Sequence, residues 1–136
     1  MIKIFITRDK VVRINFVDEN NVFVGYNASQ NCCEAFGWFI SKDEKDSPFR
    51  EDWTYLYGLL DGLREEDLND YLFDTKYYVK QVSPVDDRRA KALARFRLVA
   101  QGKEPLYLHL YNVHNGYYCH GFEFGQDGQI IEEDIL

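Results

Sequence analysis

The residues best suited to chemistry sit late in the chain. Residues 106–124 hold all three histidines, His109, His114 and His120, within a run of tyrosine, phenylalanine and leucine broken by Asn115-Gly116. Asn-Gly between two such runs is a strong short-range hairpin signal, because both residues tolerate the positive φ of a type I′ turn. If His114 pairs with Tyr117, then Tyr111 lies opposite His120 and His109 opposite Phe122. One face would then carry Tyr107, His109, Tyr111, Val113, Tyr118, His120, Phe122 and Phe124, while Leu106, Leu108 and Leu110 on the other face the core. His109 and His120 would be diagonal neighbours, roughly 5 to 8 Å apart at Cβ.

Three chemistries compete for that aromatic wall. Two histidines with a carboxylate or thiol can bind zinc, but no third and fourth ligand has a recognisable spacing, and Cys119 should point the other way. A Cys-His dyad needs both groups on one face, which adjacent strand residues such as Cys119 and His120 do not share. Recognition asks least of geometry: Tyr107, His109, Tyr111, Tyr118, His120 and Phe122 can stack on a flat ligand or bury a partner's side chains. Coverage of this face by another layer of the same protein explains these residues equally well.

A second cluster is Cys32-Cys33-Glu34. Vicinal disulfides are strained, so at least one thiol is expected to pack as a small apolar group. Glu34 shares a face with Phe36 and Trp38 and suits an acceptor for a tyrosine hydroxyl, a partner for an arginine such as Arg95, or a ligand-reading carboxylate. No phosphate loop, metal signature or ordered Ser, His, Asp set is present, so no catalytic residue, metal or cofactor is assigned and a non-enzymatic protein is expected.

The elements that must position these groups are short. Residues 1–6 read as a first strand, and residues 10–17 and 22–26 as a hairpin around the turn composition Asp18-Glu19-Asn20-Asn21. Residues 33–41 read as a third strand of the same sheet. From Asp52, apolar residues recur at helical spacing through Leu63, weakened by Gly58 and Gly62. A further helical turn follows around Leu68, and residues 76–82 read as a strand. Ser83-Pro84-Val85-Asp86-Asp87 has the form of a helix start, with a serine cap, proline at the first helical position and carboxylates by the free amides. That helix is expected to end near Leu93 and give way to a strand over 95–99.

The 136 residues suit one domain, 1–136. With 46% hydrophobic and 29% charged residues the composition is that of a folded chain. Ten Tyr, ten Phe and two Trp exceed the needs of one small core. The 16 basic and 23 acidic residues leave a net charge of −7, unevenly spread. Residues 51–80 hold 3 basic and 8 acidic groups, 81–104 hold 6 and 3, and 105–136 hold 5 acidic groups with no Lys or Arg. Such a chain repels phosphate backbones, so direct nucleic-acid binding is disfavoured unless Arg88, Arg89, Lys91, Arg95 and Arg97 form a local patch. The same charge suits docking on the basic surface of another protein, or simply solubility. There is no secretory signal, no 18-residue apolar run and no basic amphipathic helix, so no membrane partner is expected. Three cysteines do not make an even disulfide framework, which favours a reducing cytoplasm.

Asn31-Cys32-Cys33-Glu34 after a hairpin, the acidic 67–72 segment and the late Asn115-Gly116-Tyr117-Tyr118 turn together resemble a family of small uncharacterised proteins of bacteriophages, prophages and bacteria. That family is similar in its Cys-Cys-Glu element and Asn-Gly-Tyr-Tyr hairpin. This chain departs from the pattern with Asn31 in place of Asp, Cys119 in place of Ser, and His114 and His120 bracketing the turn. The family is a domain of unknown function, so the resemblance implies a phage-like context and an α+β fold but no activity.

The expected fold is therefore α+β, a twisted antiparallel sheet of five to seven strands with one or two short helices. The expected function is that of an acidic inhibitor of a host protein or complex that handles nucleic acid, acting in the bacterial cytoplasm. The alternative is a small-molecule or nucleotide-binding module built on the aromatic and histidine face. The oligomeric state stays open, and the 130–136 end reads as a strand, a tail or an acidic docking peptide.

Overall fold

The turn at residues 18–21 forms for a reason beyond its composition. The Asp18 carboxylate is buried; one oxygen accepts from the amides of Asn20 (2.8 Å) and Val22 (3.0 Å), and the other from the distant amide of Phe73 (2.9 Å). One side chain thus closes a hairpin and pins a later strand to it. The structure is a computed structural model in which residues 1–29, 35–45, 57–86, 89–114 and 120–136 are described.

Eleven strands are assigned among these residues: β1 (Lys3–Arg8), β2 (Val12–Val17), β3 (Val22–Asn27), β4 (Ala35–Ser41), β5 (Gly58–Leu59), β6 (Leu72–Phe73), β7 (Val79–Asp86), β8 (Arg89–Val99), β9 (Leu106–His114), β10 (Gly121–Gln126) and β11 (Gln129–Ile135). They form a five-stranded sheet in the order β1-β2-β3-β10-β11 and a six-stranded sheet in the order β5-β4-β9-β8-β6, with β7 also paired to β8. The helical content of the described residues is one 3-10 turn, Glu65–Leu68, whose entry is closed by the Arg64 amide donating to Asp67 Oδ2 at 2.8 Å.

This corrects the α+β expectation: the fold is all sheet, in two layers. The residues read as a helix from Ser83 lie in the β7–β8 hairpin, paired from Val79↔Arg95 to Asp86↔Arg89. The decisive pattern is the alternation of Ala92, Ala94, Phe96 and Leu98, all buried, with Leu93, Arg95 and Arg97 on the opposite face. Period two over so long a run outweighs a local cap signal. Pro84 is accommodated at an edge: among the described residues β7 pairs only with β8, and a bulge falls between Pro84 and Asp86. A helix continuing to Leu63 is likewise ruled out by β5 and by the turn at Asp61 and Gly62, with φ of 59° and 75°. Residues 51–56 of that expected helix lie outside the described residues.

Two further expectations change. Strand β4 does not extend the β2–β3 hairpin; it pairs with β9 from Ala35↔Val113 to Ser41↔Tyr107, in the other sheet. Strands β9 and β10 are not hairpin partners either. Tyr111 lies opposite Gly37 and Leu93, and His109 opposite Phe39 and Arg95, while Phe122 lies opposite Tyr26 and Asp134. Between His114 and His120 the chain changes layer, and the Asn115-Gly116 turn falls outside the described residues. The 130–136 end is strand β11 followed by a buried Leu136, entered through Asp127 and Gly128 at φ of 53° and 80°, a two-residue hairpin turn.

The sheets face each other through aromatic contacts. Phe16 meets Trp38 edge to face at 5.1 Å, and Phe96 packs on Phe124 at 5.1 Å and on Phe122 at 6.1 Å. Part of the aromatic excess in composition is taken up here. Among the described residues no helix is long and apolar enough to cross a membrane.

Candidate functional site

The residues expected to share one aromatic wall fall on two layers, and those described are interior. Tyr107, His109 and Tyr111 alternate along β9 on the outer face of the six-stranded sheet. There all three are buried, and Tyr111 forms a second small core with its sheet neighbours Phe39 and Leu93, against which Leu60 packs. His109 is fully buried, stacked on Phe39 at 4.3 Å with rings 13° from parallel. Among the described residues neither ring nitrogen makes a hydrogen bond of good geometry, and main-chain groups of Glu44, Phe39 and Tyr107 lie close enough to oppose only part of the cost of burial. Burial first, and the neighbouring Arg95 charge second, push the imidazole pKa down to about 4. It is therefore neutral at neutral pH. Beside it the Tyr77 hydroxyl donates to Glu44 Oε1 at 2.9 Å, and burial raises that phenol.

His120 and Phe122 belong to the five-stranded layer and point between the sheets. His120 stacks on Phe36 at 4.0 Å, and its Nδ1 donates to the Asn27 carbonyl at 2.8 Å. Phe122 packs against Tyr78 at 6.0 Å. Tyr118 and Glu34 lie outside the described residues, as do Cys32, Cys33, Cys119 and thus most of the family-like elements. Arg95 and Arg97 share a face of β8, but Arg95 is buried, and Arg97 lies over the Tyr77 ring at 4.1 Å with Asp74 3.6 Å away. Among the described residues no group of three His, Cys, Asp or Glu side chains is placed to hold a metal.

What the fold leaves open lies elsewhere. Strand β11 is exposed over its whole length, and among the described residues it pairs only with β10. Ile130, Ile131 and Ile135 are 45%, 43% and 55% exposed, too much for members of a closed core, and Glu132, Glu133 and Asp134 lie between them. On the inner side Asp134 meets Lys80 at 2.8 Å, which lowers its carboxyl pKa.

Next to β11 the outer face of the five-stranded sheet carries a groove of about 500 Å³, lined by Arg13, Gly25, Gly121, Glu123, Glu133 and Ile135 among others. Gly25 leaves room for the Arg13 guanidinium, which crosses it to reach Glu123 at 3.2 Å; a Cβ there would push this flexible side-chain end aside. A second cleft, of about 660 Å³, is lined by Lys42, Asp43, Glu44, Asp61, Glu104 and Tyr107, again acidic on balance.

Arg13, Glu123 and the groove were absent from the sequence-based candidates, whereas the 130–136 end was read as a strand, a tail or a docking peptide and is strand β11. The legible signals were the glycines interrupting strands at Gly25 and Gly121, and the Asp127-Gly128 turn that makes residues 129–135 a strand. No protein-family model, curated protein or solved structure matches the chain.

Proposed function

We propose that this chain is a non-enzymatic binding protein whose acidic surface engages and inhibits a basic host protein of the nucleic-acid-handling kind, in a phage or mobile-element setting within the bacterial cytoplasm. The setting follows from the resemblance of its Cys-Cys-Glu and Asn-Gly-Tyr-Tyr elements to phage and prophage proteins. The observation that carries the binding reading is β11. An exposed edge strand offers unpaired main-chain groups to an added strand, and soluble proteins ordinarily blunt such edges. Here the edge joins three exposed isoleucines to three acidic residues, in a segment, 105–136, without Lys or Arg. Opposite charge on the partner accelerates encounter and fixes register, whereas a second copy of this strand would meet like charge.

The test is a capture experiment from bacterial lysate with three proteins: the native chain, E132K/E133K on β11, and E65K/E66K on the exposed 3-10 turn. A protein retained by the native chain and by E65K/E66K but lost with E132K/E133K supports the reading. Equal retention by all three, or retention by none, overturns it.

A further inference from the structure

Gly121 is a strand residue with no packing reason, among the described residues, to lack a side chain. Among the described residues, a Cβ built on it would come no nearer to anything than 4.0 Å, from the Asp134 carbonyl oxygen, and its φ is not in the left-handed region. Glycine weakens a strand, and in a strand interior it often marks close approach of a ligand or another backbone. The neighbouring Gly25 is filled by Arg13 from within the protein; Gly121 is not filled. Together they floor the groove that opens onto β11.

The groove is also unbalanced in charge. Glu123 and Glu133 are direct cross-strand partners on its face, an arrangement that destabilises a sheet unless a cation intervenes. Arg13 reaches Glu123 alone. Among the described residues Glu133 has no ion-pair partner, although it lies beside the open floor. One positive charge therefore serves two carboxylates, and space for a second is present.

We propose that this groove is the socket for an arginine on an extended segment of the partner, a segment that pairs with the free edge of β11. The proposal rests on the binding reading above and names the chemistry of the bound residue. Strands in a sheet lie about 4.8 Å apart, so a residue added opposite Glu133 would sit about 5 Å from it and about 10 Å from Glu123. An extended arginine spans that distance. Its planar guanidinium can lie flat on a glycine floor, as Arg13 already does on Gly25, and can hydrogen-bond carboxylates on both sides. Ile135 flanks the floor beside Gly121 and offers apolar cover to the arginine stem.

The experiment is a titration of the isotopically labelled full chain with an end-capped ten-residue peptide of alternating arginine and threonine, followed by amide chemical shifts. A peptide with glutamate in place of arginine is the control. Saturable binding is expected, with the largest shifts at Gly121, Glu123 and residues 133–135, and none with the control peptide. Gly121→Leu puts a side chain on the floor, where among the described residues a Cβ meets nothing nearer than 4.0 Å, and should weaken binding at least tenfold with an unchanged urea midpoint. Glu133→Gln should weaken it several-fold and serves as the test if Gly121→Leu does not fold.

Equal affinity in both variants, or shifts spread evenly over all acidic segments, overturns the socket. The two readings fail separately. If lysate capture depends on Glu132 and Glu133 while Gly121→Leu captures as well as the native chain, the socket falls and the binding function stands. If the peptide saturates the groove but no captured protein depends on Glu132 and Glu133, the binding function falls and the socket stands.

Discussion

The hydroxyl of Tyr26, on β3, donates a 2.8 Å hydrogen bond to the main-chain carbonyl of Tyr111, on β9. These strands belong to different sheets, so the bond crosses the core from one layer to the other. Tyr26 is completely buried and its ring also meets Phe36 edge to face at 6.4 Å. Tyr26→Phe keeps the ring and removes the tie, and should lower unfolding free energy by about 1 to 2 kcal/mol. The slope of the urea transition should not change, since the surface exposed on unfolding is the same. A loss below a few tenths of a kcal/mol would show that the tie between layers contributes little.

His109 makes stability depend on pH. Its folded pKa is about 4, below the ordinary 6.5, so the unfolded chain takes up a proton that the folded one refuses. Its contribution is complete above pH 6.5 and is lost as pH falls toward 4. The loss should reach about 3 kcal/mol between pH 7 and pH 4. Urea unfolding at the two pH values measures it. His109→Leu should flatten that part of the profile, because the group whose folded pKa is lowered there is removed. A variant with the native pH profile would place the titration elsewhere.

Asp18 is the most exposed to failure among the buried polar groups. Asp18→Ala leaves the amides of Asn20, Val22 and Phe73 without their acceptor, and a cost of about 3 kcal/mol or more is expected from urea unfolding. Hydrogen exchange should localise the damage to the β2–β3 turn and β6 together, since one carboxylate serves both. Damage confined to the turn would mean that the Phe73 contact is energetically idle.

Gly25 and Gly121 look alike in sequence and should behave oppositely. Gly25→Val would displace the Arg13 guanidinium and break its contact with Glu123, so a lower thermal midpoint is expected. At Gly121 a Cβ meets nothing nearer than 4.0 Å among the described residues, so Gly121→Leu should leave the midpoint unchanged within a degree or two. Equal destabilisation by both would mean that Gly121 is needed for the fold.

Strand content was legible wherever a face alternated with turn residues at both ends. The β2–β3 hairpin lies where Asp18-Glu19-Asn20-Asn21 places it, with Val17 opposite Phe23. The Ser83-Pro84 cap was misleading because capping is a local preference of about 1 kcal/mol, whereas burying Ala92, Ala94, Phe96 and Leu98 along one strand face contributes several times more. Of the aromatic candidates, Tyr107, His109 and Tyr111 do share a face of β9, as period two requires. Whether water, ligand or protein covers that face is not encoded in the period.

The sequence by itself determined which residues alternate, where β2 turns into β3, and how acidic the last thirty-two residues are, because these depend on neighbours along the chain and on counting. Tertiary structure alone decided that β9 and β10 part into different sheets and that His109 is buried, stacked on its cross-strand neighbour Phe39. It also decided that β11, among the described residues, is left at an open edge beside two glycines. Strand pairing depends on which faces can be buried together, and that is a property of the whole set of strands, chosen by total buried area and not by any one turn.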